Sequence, residues 1–488
     1  MLAEPSSTRP WLLGALAAVA VVIAVVPDLR PGVANWDTRV KTEVAWNVLH
    51  GRGPILTRAP APLYLIPGSD GRTYAPYPPF AYVLQLPSAL SALWFNAAVE
   101  GLAPLLLLAM TGWVLVITGL RLGASSGAAA AGALLACLGT ALRPMVGVGH
   151  DNGIEALALA AMLWASTFED RPAAFAWAGL STGAALATRL GAVPLLVPAA
   201  VLVLVQRPRT WLGVIRRGIA FAAGVAPGLA AVLAFNFYRY GSPFELQPGN
   251  EAVAMYVPWL TAAHWSGVLG LAVSPGKGLL WYSPPLIAVA LLAAPLARRF
   301  PAVMAALGAY LAVGLVFYGR LTFWHGDWGW GPRYVSPASL AAAPLVWWAW
   351  ERLASSRLRL GLLAGAASLL VAIQAFPNFA FPLGVYLQEI SRRAELEGTP
   401  APQLVFPMLK DSDYFYFRLD TSPIVVLARA FARGLGSEPA DARDGALGEK
   451  VRRGLAWSPL GPALFLALVT AANRRAIGPP ASPPGGRT

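Results

Sequence analysis

Long apolar runs, separated by short clusters of arginine, proline and glycine, constrain this chain more than any other feature of it. Crossing a bilayer takes about 20 consecutive, mostly apolar residues, and inside the hydrocarbon every backbone N–H and C=O must be satisfied within the segment or a closed barrel. The runs here are too long for barrel strands, so the sequence predicts helices. They fall near 11–27, 97–120, 125–142, 152–167, 172–188, 190–206, 218–236, 284–297, 301–318, 337–351, 361–377 and 456–472, which gives an all-α polytopic membrane protein of about 12 transmembrane helices. Composition agrees: only 12% of residues are charged, against about 25% in soluble domains. The first run is longer than a signal's apolar core and reads as an uncleaved anchor, with Gly32-Val33-Ala34 leaving cleavage open.

A net charge of +13 suits nucleic acid, yet its distribution points elsewhere. With the N-terminus inside, Arg9, Arg121, Arg171, Arg207, Arg209, Arg216, Arg217, Arg298, Arg299 and Arg352 fall on one face with few acids among them. Short arginine-rich loops mark the cytoplasmic side. The basic balance is therefore mostly a topology signal. It predicts a multi-pass protein of the inner (plasma) membrane with both termini cytoplasmic and no nucleic-acid partner.

The long loops, 28–95, 237–283, 319–336 and 378–455, fall on the opposite face. This divides the chain into a membrane module at 1–377, a small outer segment at 378–455, and a last span with a Pro- and Gly-rich tail at 456–488. The outer segment is short for a core of its own and is expected to pack on the membrane part. The single cysteine, Cys137, excludes an intrachain disulfide framework and a cysteine-based metal site.

Chemistry-bearing residues crowd the outer helix ends. Asp37 follows the end of the first run by about ten residues, with Arg39 and Lys41 beside it. It reads either as the cap of a helix starting near Thr38, or as a general base or metal-binding carboxylate. At the entry to the fourth run stands His150-Asp151-Asn152-Gly153-Ile154-Glu155. Asp151 and Glu155 are four apart and share a helical face. They either cap that helix or join Asp37 in an oxygen-rich site for a divalent metal cation.

Among the bases, Arg143, Arg189, Lys277, Arg320 and Arg333 lie near outer helix ends. Arg189 sits between two apolar runs. A cation at that depth either serves a function or snorkels to the headgroups. Lys277, in Ser274-Pro275-Gly276-Lys277-Gly278, is flanked by glycines that would let backbone N–H groups and an ammonium approach one phosphate. The alternative is a turn with an incidental lysine. Trp324-His325-Gly326-Asp327-Trp328-Gly329-Trp330-Gly331-Pro332-Arg333-Tyr334 reads as an aromatic belt, or as a loop whose rings face sugars while Arg333 grips a phosphate.

These segments together resemble membrane glycosyltransferases of the GT-C superfamily, and within it the protein O-mannosyltransferase and aminoarabinose transferase group (glycosyltransferase family 39-like). The likeness rests on Asp37 after the first span, Tyr77-Pro78-Pro79 closing the first loop, Asp151 and Glu155 opening the fourth span, Ser274 to Pro285, and Gly329 to Tyr334. It implies a GT-C-like fold and inverting transfer of a sugar from a polyprenyl-phosphate donor to an extracytoplasmic acceptor: an envelope glycan, a lipid or a protein. On that likeness Asp37 would be the catalytic base and Asp151 a second acid. Arg189, Lys277 and Arg333 would hold the donor phosphate. Apart from the likeness, the residue types themselves make Tyr77, Trp324, His325, Asp327 and Trp330 candidates to line the sugar and acceptor, and Asp37, Asp151 and Glu155 the candidate metal set. The group's protein mannosyltransferases carry an Asp-Glu pair where this chain has Asp37-Thr38, which weighs against a protein acceptor.

Two other classes compete. A transporter or lipid flippase explains many helices and buried charge, but concentrates polar residues near the membrane midplane and is often built from inverted repeats; here no repeat is visible and polar residues crowd the loops. An envelope scaffold has no need of clustered acids and bases.

Overall fold

The computed structural model describes residues 9–29, 36–56, 65–96, 98–147, 150, 152–169, 171–207, 209–244, 265–321, 324–326, 330–353, 356–380, 417–420, 422–426 and 428–429. Asp151, Asp327, most of 378–455 and the expected last span lie outside the described residues.

The described residues are mostly helical. In order come α1 (Arg9–Val25), α2 (Trp36–Leu49), α3 (Pro79–Leu84), α4 (Leu86–Phe95), α5 (Leu102–Arg121), α6 (Ser126–Leu138), α7 (Leu142–Gly147), α8 (Gly153–Ala165) and α9 (Pro172–Thr188). There follow α10 (Leu196–Val205), α11 (Trp211–Tyr240), α12 (Trp265–Val273), α13 (Leu279–Tyr282), α14 (Pro285–Leu291), α15 (Ala293–Arg299), α16 (Pro301–Gly319), α17 (Ala342–Leu353) and α18 (Arg357–Ala380). A two-residue hairpin, β1 (Ile66–Pro67) with β2 (Thr73–Tyr74), is the only sheet among the described residues.

Among the described residues, four helical stretches are long and apolar enough to cross a membrane: Leu102–Arg121, Trp211–Tyr240, Pro301–Gly319 and Leu358–Ala375. Pro10–Val25, Ser126–Leu138, Gly153–Ala165 and Leu190–Val205 are apolar but shorter. The expectation of about twelve full spans therefore meets a more broken chain. The run at 284–297 divides at Leu292 into two seven-residue helices. The run at 190–206 opens as a 3-10 turn, Leu190–Leu195, with Pro194 inside it. Residues 79–95, at the end of the long first loop, form the two short helices α3 and α4, with Pro79 and Pro87 in their first turns.

Polar residues inside these apolar helices satisfy themselves locally. The hydroxyls of Thr111, Thr118, Thr182 and Thr188 each donate to the carbonyl four residues earlier, so none needs a partner in lipid. Helix ends follow ordinary capping: the Ser125 side chain accepts from the Ala128 N–H, Thr210 from Gly213, and α11 stops at Gly241 in the left-handed region (φ 73°).

Small residues decide which helices meet. From Gly127 to Leu138 every residue of α6 is buried. The Trp347 indole of α17 fits beside that helix because Gly119 and Gly132 carry no Cβ; one at Gly119 would stand 2.8 Å from the ring. The tightest pair is α9 with α11. A Cβ at Gly179 would fall on the Phe221 carbonyl, one at Gly224 on the Ala176 carbonyl, and one at Gly228 on the backbone of Gly183. Such close backbone approach is how apolar helices gain contact where lipid offers no hydrophobic driving force.

Two ends of the bundle differ in chemistry. At one, Arg121 Nε donates to Thr167 Oγ1 (2.9 Å), Arg121 and Arg171 lie against the Phe168 ring, Arg217 donates to the Val203 and Gln206 carbonyls, and Arg299 pairs with Glu351 (3.3 Å). These are the arginine-rich short loops. The opposite end gathers the first loop, the α8 entry, the α9 exit and the 330–336 stretch, and the candidate site lies there.

Candidate functional site

Helix geometry brings the fourth-span acid and the between-span arginine together. Glu155 occupies the first turn of α8, and Arg189 terminates α9, where its extended backbone (φ −156°, ψ 127°) ends the helix. The two helices pack on each other, and the start of one meets the end of the other. A carboxylate at a helix N-terminus and a cation at a C-terminus both match the helix dipole. Arg189 Nη1 lies 3.2 Å from Glu155 Oε1, and the hydroxyls of Tyr310 and Tyr318 on α16 both lie 3.1 Å from Oε2. The Tyr318 hydroxyl also reaches the Gly191 carbonyl at 2.6 Å.

Arg333 arrives at the same place from the loop before α17. Its guanidinium and that of Arg189 lie against one ring, Tyr334, at 4.9 and 5.4 Å from its centroid. Tyr334 stacks on Tyr318, with centroids 5.0 Å apart and planes 9° from parallel. Arg333 Nη2 donates to the Tyr334 hydroxyl (3.1 Å), and Nη1 lies 3.5 Å from His150 Nδ1. The Arg333 carbonyl accepts from Asn152 Nδ2 (3.2 Å) and Ser336 Oγ (2.9 Å). His150 and Asn152 flank Asp151 in sequence, and both touch Arg333. Residues far apart in the chain thus converge on Tyr334.

Lys277 is buried in the Ser274–Gly278 turn, its N–H donating to Ser274 Oγ (3.0 Å). The Tyr282 hydroxyl caps that turn by donating toward the Gly276 carbonyl (2.9 Å), and the Tyr282 ring meets Trp330 edge-on at 5.0 Å. Gly331, in the left-handed region (φ 70°), lets the chain pass over Tyr282; a Cβ there would stand 2.8 Å from the ring. The lysine turn is therefore coupled to the stretch that holds Arg333. From the C-terminal segment, Ser422 Oγ donates to the Pro275 carbonyl (2.6 Å) and Phe417 lies 6.3 Å from Trp324.

Asp37 sits one residue inside α2 rather than at its cap, because the helix begins at Trp36. Its carboxylate is half-buried in the first turn, where the helix dipole favours it. Lys41, one turn on, is buried with its ammonium 4.2 Å above the Tyr77 ring. Asp37 and Lys41, four residues apart, share a face of α2, and Tyr77 lies on that side. Arg239 fastens the Tyr77 segment by donating to the Ala75 (2.8 Å) and Tyr77 (3.3 Å) carbonyls. α2 packs chiefly on α4 and α3, and α3 packs on α9, the helix ending in Arg189. The opposite face of α2, with Arg39, Glu43 and Trp46, lines a separate cavity of about 220 Å³ against α4. In the same loop Asp70 accepts from the Tyr74 hydroxyl (2.7 Å) and the Arg72 N–H (3.0 Å), and these bonds hold its carboxyl below the usual carboxylate range.

Several residues take places other than those expected from sequence. Glu155 is engaged by an arginine and two hydroxyls, a surrounding that suits a counter-ion better than a ligand of a divalent metal. Among the described residues no three His, Cys, Asp or Glu side chains group as a metal site. Arg143 is buried and donates to the Ala24 carbonyl (2.8 Å), tying α7 to α1. Trp324 and Trp330 are buried rather than presented as open platforms. The Trp324 indole lies over Gly267 and Gly270 of α12, and Trp330 Nε1 donates to Gln374 Oε1 (3.1 Å). His325 is buried beside Trp324. These rings brace the loop. Trp324→Ala is accordingly expected to lower stability by about 3–5 kcal/mol, read as a drop in thermal midpoint of the detergent-purified protein; an unchanged midpoint contradicts the bracing role. Sequence reasoning passed over Tyr310, Tyr318 and Tyr334, which look like ordinary apolar helix and loop residues. The signal available for Tyr334 was its place beside Arg333.

No family model matches the chain, and no curated protein matches it. Among solved structures it is similar to the archaeal oligosaccharyltransferase AglB from Archaeoglobus fulgidus, solved in complex with an inhibitory peptide and a dolichol-phosphate. The TM-score is 0.36 and the identity 12%, over 96% of this chain and 56% of that one, so the chain spans a little over half the length of that protein.

Proposed function

We propose that this chain is an integral-membrane glycosyltransferase of GT-C type. It moves a sugar from a polyprenyl-phosphate donor to an acceptor on the extracytoplasmic side, an envelope glycan, lipid or protein. The observation that carries the reading is the meeting of Arg189 and Arg333 on the Tyr334 ring, with His150 alongside, at the loop-rich end of an apolar helical bundle. Guanidiniums fixed by aromatic and tyrosine contacts recognise phosphate through their planar forks. The polyprenyl tail lies among helices, while the phosphate rests at the interface beside Arg189, Arg333 and the Lys277 turn.

In the reaction an acceptor hydroxyl oxygen attacks the anomeric carbon from the face opposite the phosphate. The bond from that carbon to the phosphate oxygen breaks, and its electron pair leaves with the polyprenyl phosphate, so the configuration inverts. Charge grows on the departing phosphate, where fixed cations lower the barrier without reorganising. Asp37 takes the hydroxyl proton, and Asp151 is a second acid near the acceptor. A divalent metal bound by Asp37 and Asp151 would add to the neutralisation of the phosphate. Glu155, already held by Arg189, is not assigned to it, and no step depends on such an ion.

Binding of a polyprenyl phosphate to the purified protein tests the reading. Each charge-assisted hydrogen bond contributes about 1.5–3 kcal/mol, so Arg189→Ala and Arg333→Ala should each weaken binding by roughly 10- to 150-fold and abolish transfer from a labelled polyprenyl-phosphate sugar. Arg333→Lys keeps the charge but loses the fork, and should recover only part. Wild-type affinity in both alanine variants, or movement of labelled lipid across proteoliposomes with no glycosyl transfer, decides for a transporter or flippase.

A further inference from the structure

We infer that Glu155 is a positioning residue for the donor phosphate: a buried counter-ion that, clamped by Tyr310 and Tyr318, fixes the plane of the Arg189 guanidinium. The inference rests on the glycosyltransferase reading and assigns a role that Arg189 alone does not explain.

Depth gives the direction of the contact. The Glu155 side chain has no exposed surface, whereas that of Arg189 is 16% exposed. The carboxylate therefore stands behind the arginine, on the side away from the accessible end of the bundle. A carboxylate in this position is costly unless several groups answer its charge. Here Arg189 forms an ion pair at Oε1 (3.2 Å), the Tyr310 hydroxyl donates to Oε2 (3.1 Å), and the Tyr318 hydroxyl, its one proton shared between Oε2 (3.1 Å) and the Gly191 carbonyl (2.6 Å), stands beside it. The N-terminus of α8 adds its dipole.

Stability alone does not call for this arrangement, since apolar residues of like volume commonly serve a buried position as well or better. What the carboxylate adds is orientation. An arginine reads a phosphate through the plane of its fork, and a long side chain left to itself samples many planes. Glu155 removes that freedom from one edge. Tyr318 removes it from two further directions: its hydroxyl proton is shared between Glu155 and the Gly191 carbonyl just beyond Arg189, and its ring stacks on Tyr334, the ring against which Arg189 lies. One tyrosine thus links the carboxylate, the backbone after the arginine and the aromatic wall. Partners that orient a ligating group in this manner typically change affinity or activity by about 10–100-fold when removed.

The test compares the affinity for a polyprenyl phosphate with that for the matching polyprenol, which has the tail but no headgroup. The ratio isolates recognition of the phosphate from folding and from tail binding. Glu155→Gln keeps the shape and removes the charge; it should lower the ratio about 10–100-fold, with polyprenol affinity unchanged and Glu155→Asp partly restoring the ratio. Should Glu155→Gln not fold, Tyr318→Phe carries the test. It leaves the ion pair intact, removes only the hydroxyl, and should lower the ratio to a smaller degree. An unchanged ratio in Glu155→Gln (or in Tyr318→Phe, where that variant is used), beside a collapsed ratio in Arg189→Ala, overturns the positioning role and leaves the glycosyltransferase reading standing. An unchanged ratio in Arg189→Ala and Arg333→Ala overturns the reading itself. Equal loss for phosphate and polyprenol marks Glu155 as merely structural and also overturns the inference.

Discussion

Replacing Asp37 with asparagine is expected to lower glycosyl transfer by about 10²- to 10⁴-fold, the range a positioned general base contributes, while the protein still folds and still binds polyprenyl phosphate. Asparagine matches aspartate in shape and keeps a carbonyl oxygen, but an amide does not accept a proton from a hydroxyl at neutral pH. The structural cost should be small. Asp37 is half-buried in the first turn of α2, and the loss of its interaction with the helix dipole is worth about 0.3–1 kcal/mol. Transfer from a labelled donor and thermal unfolding of the same preparation separate the two effects. Turnover close to wild type in Asp37→Asn would remove this residue as the base, while the arginines at Tyr334 would keep their role. A variant that loses donor binding as well would make Asp37 part of the donor site instead.

The second large effect is expected far from the chemistry. Leucine at Gly224 would drive its Cβ onto the Ala176 carbonyl and close on the Leu180 N–H, at 2.8 Å. Overpacking against movable side chains costs about 1–3 kcal/mol; here the obstacles are backbone atoms of α9, which cannot rotate away. Gly224→Leu should therefore cost at least about 3 kcal/mol and force α9 and α11 apart. Because α9 ends in Arg189 and α11 ends beside Arg239, which fastens the Tyr77 segment, the separation should also weaken polyprenyl phosphate binding. The control is Gly361→Ala in α18, where nothing stands within 4 Å of the added methyl. That change should leave the thermal midpoint unaltered or raise it slightly. A Gly224→Leu protein with the wild-type midpoint would show that the two helices do not meet backbone to backbone at this glycine.

Much of the site's neighbourhood is legible in the sequence, for a local reason. Asp37, Arg189, Lys277 and Arg333 stand out because charge is rare in so apolar a chain, and because each lies between apolar runs rather than within one. Which of them meet is not legible there. Glu155 illustrates the limit. Its spacing from Asp151 suggests a cap or a metal ligand, whereas its partners are Arg189, Tyr310 and Tyr318, the last 163 residues away. Tyrosines in an apolar helix give no sign that their hydroxyls face a carboxylate. Trp324 and Trp330 show the converse error, since aromatic composition cannot distinguish a ring offered to a sugar from one wedged over Gly267 and Gly270.

By itself the sequence determined the helical class, the position of most helices, and the segregation of arginine-rich short loops from the long loops that hold the candidate residues. Those properties follow from runs of apolar side chains and from the need of each backbone segment to satisfy its own hydrogen bonds in lipid, which are decided within about twenty residues. Only the tertiary structure decided where apolar runs break into shorter helices, which glycines let α9 and α11 interlock, and that two distant arginines share the Tyr334 ring with a buried carboxylate behind one of them. Those outcomes depend on contacts between segments remote in sequence, and their energies exist only once the helices have packed.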